Sequence, residues 1–429
     1  MPGRMLKNYT TGRRSLPDFC VLSIHYQLTD MLSKDNLFTI FSKGLILLVN
    51  FFMVVLTARI WGSEGRGEIA LVIANVSIIS IFSNIFCGST VAYNACSRQR
   101  ELLLIISLAG AILTSVAGAG VFSVFFHKGY FIPLFLISFL VSMNSAIASY
   151  WLGKKDITKY NLLNLLGPFL ILGTLILLYY VFGKTNLDTY FKAYYIGYGI
   201  LLLLASASLA RERSFTKPNF LSAGLTSILS YGVKNEFNYL LQFLNYRLSY
   251  YFIVILLGLN DLGIFSIAVS ITEAVWIISR SMSAVHFSNV INSEDKIQSI
   301  NEALLYAKQS FLISTLILAV AIVLPDKLYS LVFGNEFSGL KKLVLYLAPG
   351  IIAIAVSNLF GHYFAGTGKL NLLRNKSLIG LAVTLFSLPL LLKKYKLTGA
   401  CIAVDLSYVF SSLYLWIMFR KEIHTRDAH

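Results

Sequence analysis

Residues 36–60 read NLFTIFSKGLILLVNFFMVVLTARI, an apolar run that holds only two charged side chains. About 20 apolar residues in helical conformation cross the ~30 Å hydrocarbon core of a bilayer. Eleven similar runs follow, so the sequence predicts an all-α polytopic membrane protein with about twelve transmembrane helices. We expect the helices at 36–60, 67–90, 101–126, 130–152, 160–183, 188–210, 225–257, 262–287, 303–325, 343–366, 375–392 and 397–419.

The composition excludes the common soluble classes. Of the 429 residues, 56% are hydrophobic and 13% are charged, whereas a soluble domain carries about 25% charged residues. The connections between the apolar runs are too short for a soluble catalytic domain. The first 35 residues are polar and basic and hold no apolar core of a signal peptide. The four cysteines show neither zinc nor haem spacing, and we predict no metal and no cofactor.

The net charge of +16 indicates the orientation of the chain. With the N-terminus inside, the cytoplasmic segments carry more than twice as many Lys and Arg residues as the outer segments. Lys and Arg concentrate in cytoplasmic loops of membrane proteins. We therefore expect a multi-pass membrane protein with both termini in the cytoplasm, and we predict no nucleic-acid partner.

The two halves of the chain resemble each other weakly. Gly62 and Gly67 match Gly258 and Gly263 at an offset of 196 residues. Glycine adopts positive φ at low cost, so we expect both pairs in tight outer turns. Two parallel six-helix repeats are typical of secondary transporters. The expected parts are a polar N-terminal extension (1–35), an N-lobe (36–210), a cytoplasmic loop (211–224), a C-lobe (225–420) and a cytoplasmic tail (421–429).

Charged residues interrupt several predicted helices. A charge at the bilayer centre costs about 2.5–3.5 kcal/mol, so such residues need partners or water. Arg59, Lys192 and Lys43 lie towards helix ends. Alternatively, therefore, their charged groups extend to the membrane–water interface instead of facing a cavity. The basic residues are Lys43, Arg59, Lys192, Lys234, Arg247 and Arg280, and the acidic residues are Glu236, Glu273 and Asp405.

The seventh predicted helix has two polar faces. One face holds a stripe of Lys234, Asn238, Gln242, Asn245 and Ser249. Glu236 and Arg247 share a different face. Polar residues also join helices by hydrogen bonds, and this remains the alternative for the Ser and Asn side chains. Because charged residues accompany them, we favour a water-filled cavity.

The balance of six bases against three acids predicts an anionic ligand, most simply a phosphate or diphosphate. A lipid-linked saccharide precursor has a diphosphate and a sugar chain. Asn and Gln amides would suit the sugar. The aromatic residues Tyr231, Tyr239, Tyr246 and Trp276 would stack on its rings, although aromatic residues in helices more often serve packing.

Four stretches resemble bacterial polysaccharide flippases. They are 58–71, 240–248 with the following 258–270, 331–337 and 347–350. The chain resembles the O-antigen and capsular polysaccharide flippase branch of the multidrug/oligosaccharidyl-lipid/polysaccharide (MOP) exporter superfamily over nearly all of 36–420. Arg247 matches an arginine of that family, whereas Ser249 stands where many members carry an acid.

The resemblance implies two six-helix lobes in a MATE-like arrangement around a V-shaped cationic cavity. It implies a flippase that moves an undecaprenyl-diphosphate-linked oligosaccharide, a unit of lipopolysaccharide O-antigen or capsule, from the inner to the outer leaflet. A proton or sodium gradient would drive alternating access. Membrane lipids and other polysaccharide assembly proteins would be its partners.

We predict three groups of functional residues. The diphosphate ligands are Lys43, Lys234, Arg247 and Arg280. The sugar contacts are Asn50, Asn238, Gln242 and Asn245. The residues that balance charge or carry the coupling ion are Glu273, Glu236 and Asp405.

Two other classes of function remain open. A MATE-like exporter of drugs or cations is the first alternative, and the cationic interior argues against it. A membrane-embedded polysaccharide polymerase or glycosyltransferase is the second. Such enzymes usually need a sizeable loop or clustered acids, and the sequence shows neither, so we predict a transporter and not an enzyme.

Overall fold

The computed structural model describes residues 34–126, 128–183, 185–210, 225–292 and 296–427. Within these ranges the chain folds into helices and forms no strand, which confirms the predicted all-α class. Most of the predicted N-terminal extension and the whole of the predicted inter-lobe loop lie outside the described residues.

The first half of the chain begins with a helical hairpin. The helical run Lys34–Cys87 is interrupted at Gly62, where φ is 62° and ψ is −164°. Met53 packs against Ile69 and Val76, so the chain folds back at Gly62. The helices of this half are α1 (34–61), α2 (63–87), α3 (Ser89–Asn94), α4 (Arg100–Phe125), α5 (Phe131–Gly153), α6 (Ile157–Ile176) and α7 (Asp188–Ala210).

The second half ends with a similar hairpin, which turns at Lys396. Its helices are α8 (Leu225–Leu256), α9 (Leu259–Glu273), α10 (Trp276–Asn292), α11 (Lys296–Val323), α12 (Asp326–Phe333), α13 (Leu340–Gly366), α14 (370–395) and α15 (397–427). The sequence predicted one helix at 262–287, but the structure divides this span into α9 and α10, which meet at 44°.

Most of the predicted membrane crossings are apolar helices in the structure. Within the described ranges, eight helical runs are long and apolar enough to cross a membrane, or nine if α9 and α10 form one span. Two of the eight runs are the hairpins, and each of these supplies two helices. α8, which is 32 residues long, is not among these runs, so length and composition support eleven of the twelve predicted crossings.

The two halves share a large buried core at one end of the bundle and a small one at the other. We call the end with the turns 95–99 and 154–156 the inner end, and the end with Gly62 and Gly258 the outer end. At the outer end, Ala58 and Leu71 of the first half pack with Phe265 of the second half in one buried cluster. Towards the inner end, each half has a cluster of its own, and Ile228 of α8 also packs with Leu102, Leu103 and Ile106 of α4. The space between the halves is therefore closed at the outer end.

Reciprocal contacts of two glycines join the halves at the outer end. A Cβ on Gly67 would lie 1.9 Å from the Leu259 carbonyl oxygen, and a Cβ on Gly263 would lie 1.8 Å from the Ser63 carbonyl oxygen. Gly67 and Gly263 are helical, so their placement in outer turns was wrong. Of the four glycines that the repeat singled out, only Gly62 and Gly258 have positive φ. The internal repeat thus places Gly67 and Gly263 where the backbones of the two halves are in contact and a side chain would not fit.

A small hydrogen-bonded group, the outer latch, lies beside these glycines and consists of Ser63, Asn260 and Glu336. Glu336 Oε2 accepts hydrogen bonds from the Ser63 N–H at 2.7 Å and the Ser63 hydroxyl at 2.8 Å. The same hydroxyl contacts Asn260 Oδ1. Nearby, Arg59 Nε donates to the Val332 carbonyl oxygen at 2.8 Å. These bonds tie α1 and α2 of the first half to α9 and to the segment 332–336 of the second half.

We predict that Gly67→Ala or Gly263→Ala opens the outer end, because the added Cβ would overlap a carbonyl oxygen of the other half. Spin labels at Asn186→Cys and Ser338→Cys, in a background without native cysteines, would measure the separation of the halves. In both variants, the distribution of distances between the two spin labels should contain additional, longer distances. Gly120→Ala, which meets nothing within 4 Å, is the control. An unchanged distance distribution would contradict the proposed contact.

We also predict that acidification weakens the outer latch only at low pH. The hydrogen bonds from the Ser63 N–H and hydroxyl lower the pKa of Glu336 below its ordinary value of 4.5. The latch is therefore complete above pH 4.5 and is lost as the pH falls through the lowered pKa. The same spin labels should show Glu336→Gln loosened at pH 7 and the wild-type outer latch unchanged between pH 7 and about 5.5. Loosening of the wild type at pH 6 would refute this assignment.

Candidate functional site

Two connected cavities lie between the halves. The first, which we call the cationic chamber, has a volume of about 560 Å³ and reaches from α1 and α2 to α8, α9 and α10. The second, the inner chamber, has a volume of about 740 Å³ and extends to the inner end. Phe243, Tyr246 and Arg280 line both chambers, so the two spaces meet at these residues.

The cationic chamber gathers basic residues from both halves. Its charged and amide-bearing lining residues are Lys43, Asn50, Arg66, Arg247, Glu273 and Arg280. Among the described side chains, no acidic group pairs with Lys43, Arg66 or Arg280. Since the one acid of the chamber is paired with Arg247, the lining keeps three uncompensated positive charges.

Arg66 belongs to this chamber although the sequence placed it in an outer loop. It is 6% exposed, and its Nε has no hydrogen-bond partner among the described residues. The tyrosines Tyr190, Tyr194 and Tyr250 surround it within electrostatic range. The chamber is lined along one face of α2 by residues at helical spacing, namely Arg66, Ala70, Ala74 and Ser77. This spacing is the sequence pattern that could have predicted the position of Arg66. The glycine-rich stretch before them had instead suggested a loop.

Arg247 and Glu273 form a two-fold hydrogen-bonded ion pair. Arg247 Nη1 and Nη2 donate to the two carboxylate oxygens of Glu273, each at 2.6 Å. The guanidinium also lies 5.2 Å from the centre of the Tyr250 ring. This geometry suits arginine and not lysine, because the planar guanidinium matches a carboxylate. Arg247 is therefore neutralised in the structure, and its pair joins α8 to the last residue of α9.

The inner chamber is lined mainly by tyrosines and amides. Its polar side chains include Asn84, Asn235 and Gln242, together with Tyr93, Tyr160, Tyr231, Tyr239 and Tyr246. Gln242 Nε2 donates to the Tyr246 hydroxyl at 3.2 Å. Tyr231, Tyr239 and Tyr246 were predicted from the sequence to stack on sugar rings. Tyr93 and Tyr160 of the first half were not predicted, because no pattern in the sequence distinguished them. Aromatic faces beside amides are the groups that bind sugars and other uncharged polar molecules.

The one acid of the inner chamber, Glu236, joins the halves at the inner end. It is 4% exposed and accepts hydrogen bonds from the Ser89 hydroxyl and from Asn235 Nδ2, the latter at 3.3 Å. Tyr93 stacks on Tyr231 with 4.5 Å between ring centres. The inner half of α8 thus packs on α3 of the first half. Within the described ranges, no three His, Cys, Asp or Glu side chains could hold a metal ion.

Four residues selected from the sequence line neither chamber. Lys234 and Asn238 are exposed on α8 outside both spaces. Asn245 Oδ1 accepts from the Ser407 hydroxyl at 2.7 Å, and this buried contact joins α8 to α15. Asp405 Oδ1 accepts from the Gly350 N–H at 2.9 Å, directly after Pro349 in α13. Asn245 and Asp405 therefore join helices, which is the alternative role that polar residues often play in membranes.

No protein-family model and no curated protein matches the chain. Its shape resembles that of solved structures. An inward-facing multidrug resistance MATE family transporter of the MOP superfamily aligns with a TM-score of 0.73 and 15% identity, over 89% of this chain and 95% of that chain. An outward-facing MATE transporter gives 0.63 and 13%, over 92% and 95%. The lipid II flippase MurJ, in an inward closed conformation, gives 0.71 and 12%, over 90% and 87%.

The chain shares the fold of MATE transporters and MurJ. At these identities the likeness establishes the fold alone, and the predicted two-lobed, MATE-like arrangement of helices is confirmed. The inward-facing MATE structure fits better than the outward-facing one. This agrees with the closed outer end and with an inner chamber that reaches the inner end.

We predict that Glu273→Gln lowers stability more than the double variant Arg247→Gln/Glu273→Gln. The single change leaves a guanidinium uncompensated and costs on the order of 3 kcal/mol, as for other largely buried pairs. Apparent melting temperatures of the purified proteins would measure the effect. Asp156→Asn, which breaks the more exposed pair with Lys159, should cost less than about 1 kcal/mol. If Glu273→Gln melts with the wild type, the pair has no structural role.

Proposed function

We propose that the protein is a flippase for an undecaprenyl-diphosphate-linked oligosaccharide, an O-antigen or capsule repeat unit. It would move this cargo from the inner to the outer leaflet of the bacterial cytoplasmic membrane, with both termini in the cytoplasm. The observation that carries the proposal is the set of three uncompensated cations, Lys43, Arg66 and Arg280, in one chamber between the halves. A membrane interior retains such charges only in water or beside an anion.

A diphosphate matches this arrangement of charges. Lys43 and Arg66 come from the first half, on α1 and α2, and Arg280 comes from the second half, on α10. Lys43 and Arg66 lie 19 and four residues from the turn at Gly62, so they are about 20 Å apart along the hairpin and line different depths of the chamber. At the junction with the inner chamber, a diphosphate would accept charge-assisted hydrogen bonds from Arg280 and Lys43, and deeper in the chamber from Arg66. A bound diphosphate would therefore contact both halves at once. Arg247 takes a positioning role in this account, because Glu273 already neutralises it.

The inner chamber would hold the sugar part of the cargo. It adjoins the cationic chamber at Arg280 and Tyr246, so a sugar attached to the diphosphate can extend into it. Gln242 and Asn235 offer amide hydrogen bonds, and Asn50 offers one from the wall of the cationic chamber. The tyrosine faces would stack on sugar rings.

The lipid tail would remain in the bilayer. The cationic chamber lies between α1 and α10, and α1 also exposes large apolar side chains such as Phe41, Leu48 and Phe52. A polyprenyl chain beside α1 would find apolar contacts while its diphosphate enters the chamber. Alternating access would then require the outer latch to open and the inner end to close. A proton or sodium gradient would drive the cycle.

A MATE-like exporter of drugs or cations is the second candidate, since multidrug transporters share the fold. A cation would need an available carboxylate in the cavity. Glu273 is paired with Arg247, and Glu236 is hydrogen-bonded to Ser89. The charge of the chamber therefore favours an anion. Uptake of cationic dyes by everted vesicles would support the exporter, and glycosyl transfer by the purified protein would support the enzyme alternative.

We predict that Arg280→Ala weakens binding of farnesyl diphosphate to the purified protein in nanodiscs by about tenfold, and that Arg66→Ala, deeper in the chamber, weakens it less. A charge-assisted hydrogen bond contributes about 1.5–3 kcal/mol, and 1.4 kcal/mol corresponds to a factor of ten. Lys308→Ala, on the exposed side of α11, is the matched control. Calorimetric titration would give the dissociation constants.

The same titration distinguishes the diphosphate site proposed from the structure from the site predicted from the sequence, which included Lys234. Lys234→Ala should bind as the wild type does, because Lys234 lines neither chamber. Wild-type affinity in both Arg66→Ala and Arg280→Ala would refute the diphosphate site. In cells that depend on the gene, the two variants should also lower surface polysaccharide at matched expression.

A further inference from the structure

A buried histidine lies on the side of α10 that faces away from the chambers. His286 is 0% exposed, and neither ring nitrogen has a hydrogen-bond partner among the described residues. An unpartnered buried polar group is costly, and most such groups in proteins are paired. The nearest carboxylate oxygen, Glu302 Oε2 on α11, lies 3.8 Å from His286 Nδ1. This distance is too long for a hydrogen bond and short enough for an ion pair if the imidazole carries a proton.

Hydrogen bonds from neighbouring amide side chains hold the Glu302 carboxylate in place beside His286. Glu302 accepts hydrogen bonds from Asn289 Nδ2 and from Gln298 Nε2, each at 3.1 Å. The His286 ring packs between Tyr306 and Tyr363, with ring centres 5.9 Å and 6.3 Å away. The titratable groups that face the pair are Tyr306 from α11 and His362 and Tyr363 from α13, and Lys376 from α14 acts electrostatically on His362. The imidazole is thus separated from solvent but lies next to a fixed carboxylate.

The helix that carries His286 also carries a ligand of the cationic chamber. Arg280 precedes His286 by six residues, about 9 Å along α10. The chain bends by 44° between α9 and α10, and the break separates Arg280 from the Arg247–Glu273 pair. α10 can therefore pivot without unfolding either helix. A change in how α10 packs on α11 would move Arg280 relative to the rest of the chamber.

We propose that His286 and Glu302 form a proton-binding site that is coupled to the cationic chamber through α10. Binding adds one proton from the aqueous phase to the imidazole, and the imidazolium pairs with Glu302. The pair holds α10 against α11. Release of the proton removes this attraction and frees α10 to pivot at the break. The coupling to cargo rests on the proposed function, whereas proton binding at the pair does not.

The fluorescence of Trp276 provides a direct test. Trp276 begins α10 and packs on Tyr246 of α8 and Tyr408 of α15, with ring centres 5.2 Å and 6.0 Å away. A pivot of α10 would change these contacts. In a background with Trp61, Trp151 and Trp416 replaced by Phe, the emission of the purified protein in nanodiscs would be titrated from about pH 5 to 8, where histidine changes charge. We expect one sigmoidal transition.

His286→Gln and Glu302→Gln should each abolish the transition, and His424→Gln, which changes an exposed histidine near the C-terminus, should retain it. If His286→Gln does not fold, Glu302→Gln carries the test. A transition that persists in either folded variant, or a parent protein that shows none, would overturn the proposal. Farnesyl diphosphate titrations on the same samples keep the two ideas apart. If the parent protein shows the pH transition of Trp276 fluorescence but does not bind farnesyl diphosphate, the proposed function is refuted and the proton site is retained.

Discussion

The cost of placing arginine and lysine inside a bilayer governs the architecture of this protein. Such a charge is tolerated only beside a partner or in water. Arg247 has a carboxylate partner at 2.6 Å. Lys43, Arg66 and Arg280 have no carboxylate partner among the described residues, and all three line a chamber between the halves. The division of the bundle into two halves leaves the space that these residues line.

Closure of the outer end follows from contacts between the two halves of the internal repeat. Gly67 touches the carbonyl group of Leu259, and Gly263 touches that of Ser63, at positions related by the same offset in sequence. Contacts of this reciprocal kind are formed by two similar units around a common axis. At the inner end, α8 contacts α3 through Glu236 and Ser89, and its Ile228 packs with Leu102, Leu103 and Ile106 of α4. The two ends are thus held by different interactions.

Sequence patterns predicted the helices well because hydrophobic length is a property of each segment alone. They predicted the site less well because neighbours decide what a polar face contacts. The stripe on α8 illustrates this difference. Lys234 and Asn238 are exposed outside both chambers, Gln242 lines the inner chamber, and Asn245 packs against Ser407 of α15, although all four lie on the same stripe. Arg66 was missed because only Gly62, and not the glycine-rich stretch after it, interrupts the helix.

The central claim is that the uncompensated cations hold the diphosphate of a lipid carrier in a hydrated chamber. A cryo-electron microscopy structure of the protein in nanodiscs with undecaprenyl diphosphate tests it most directly. The account predicts density for the two phosphates in the cationic chamber against Arg280, with the polyprenyl chain leaving beside α1. Headgroup density elsewhere, or a dry chamber in which the cations pair with protein carboxylates, would contradict it.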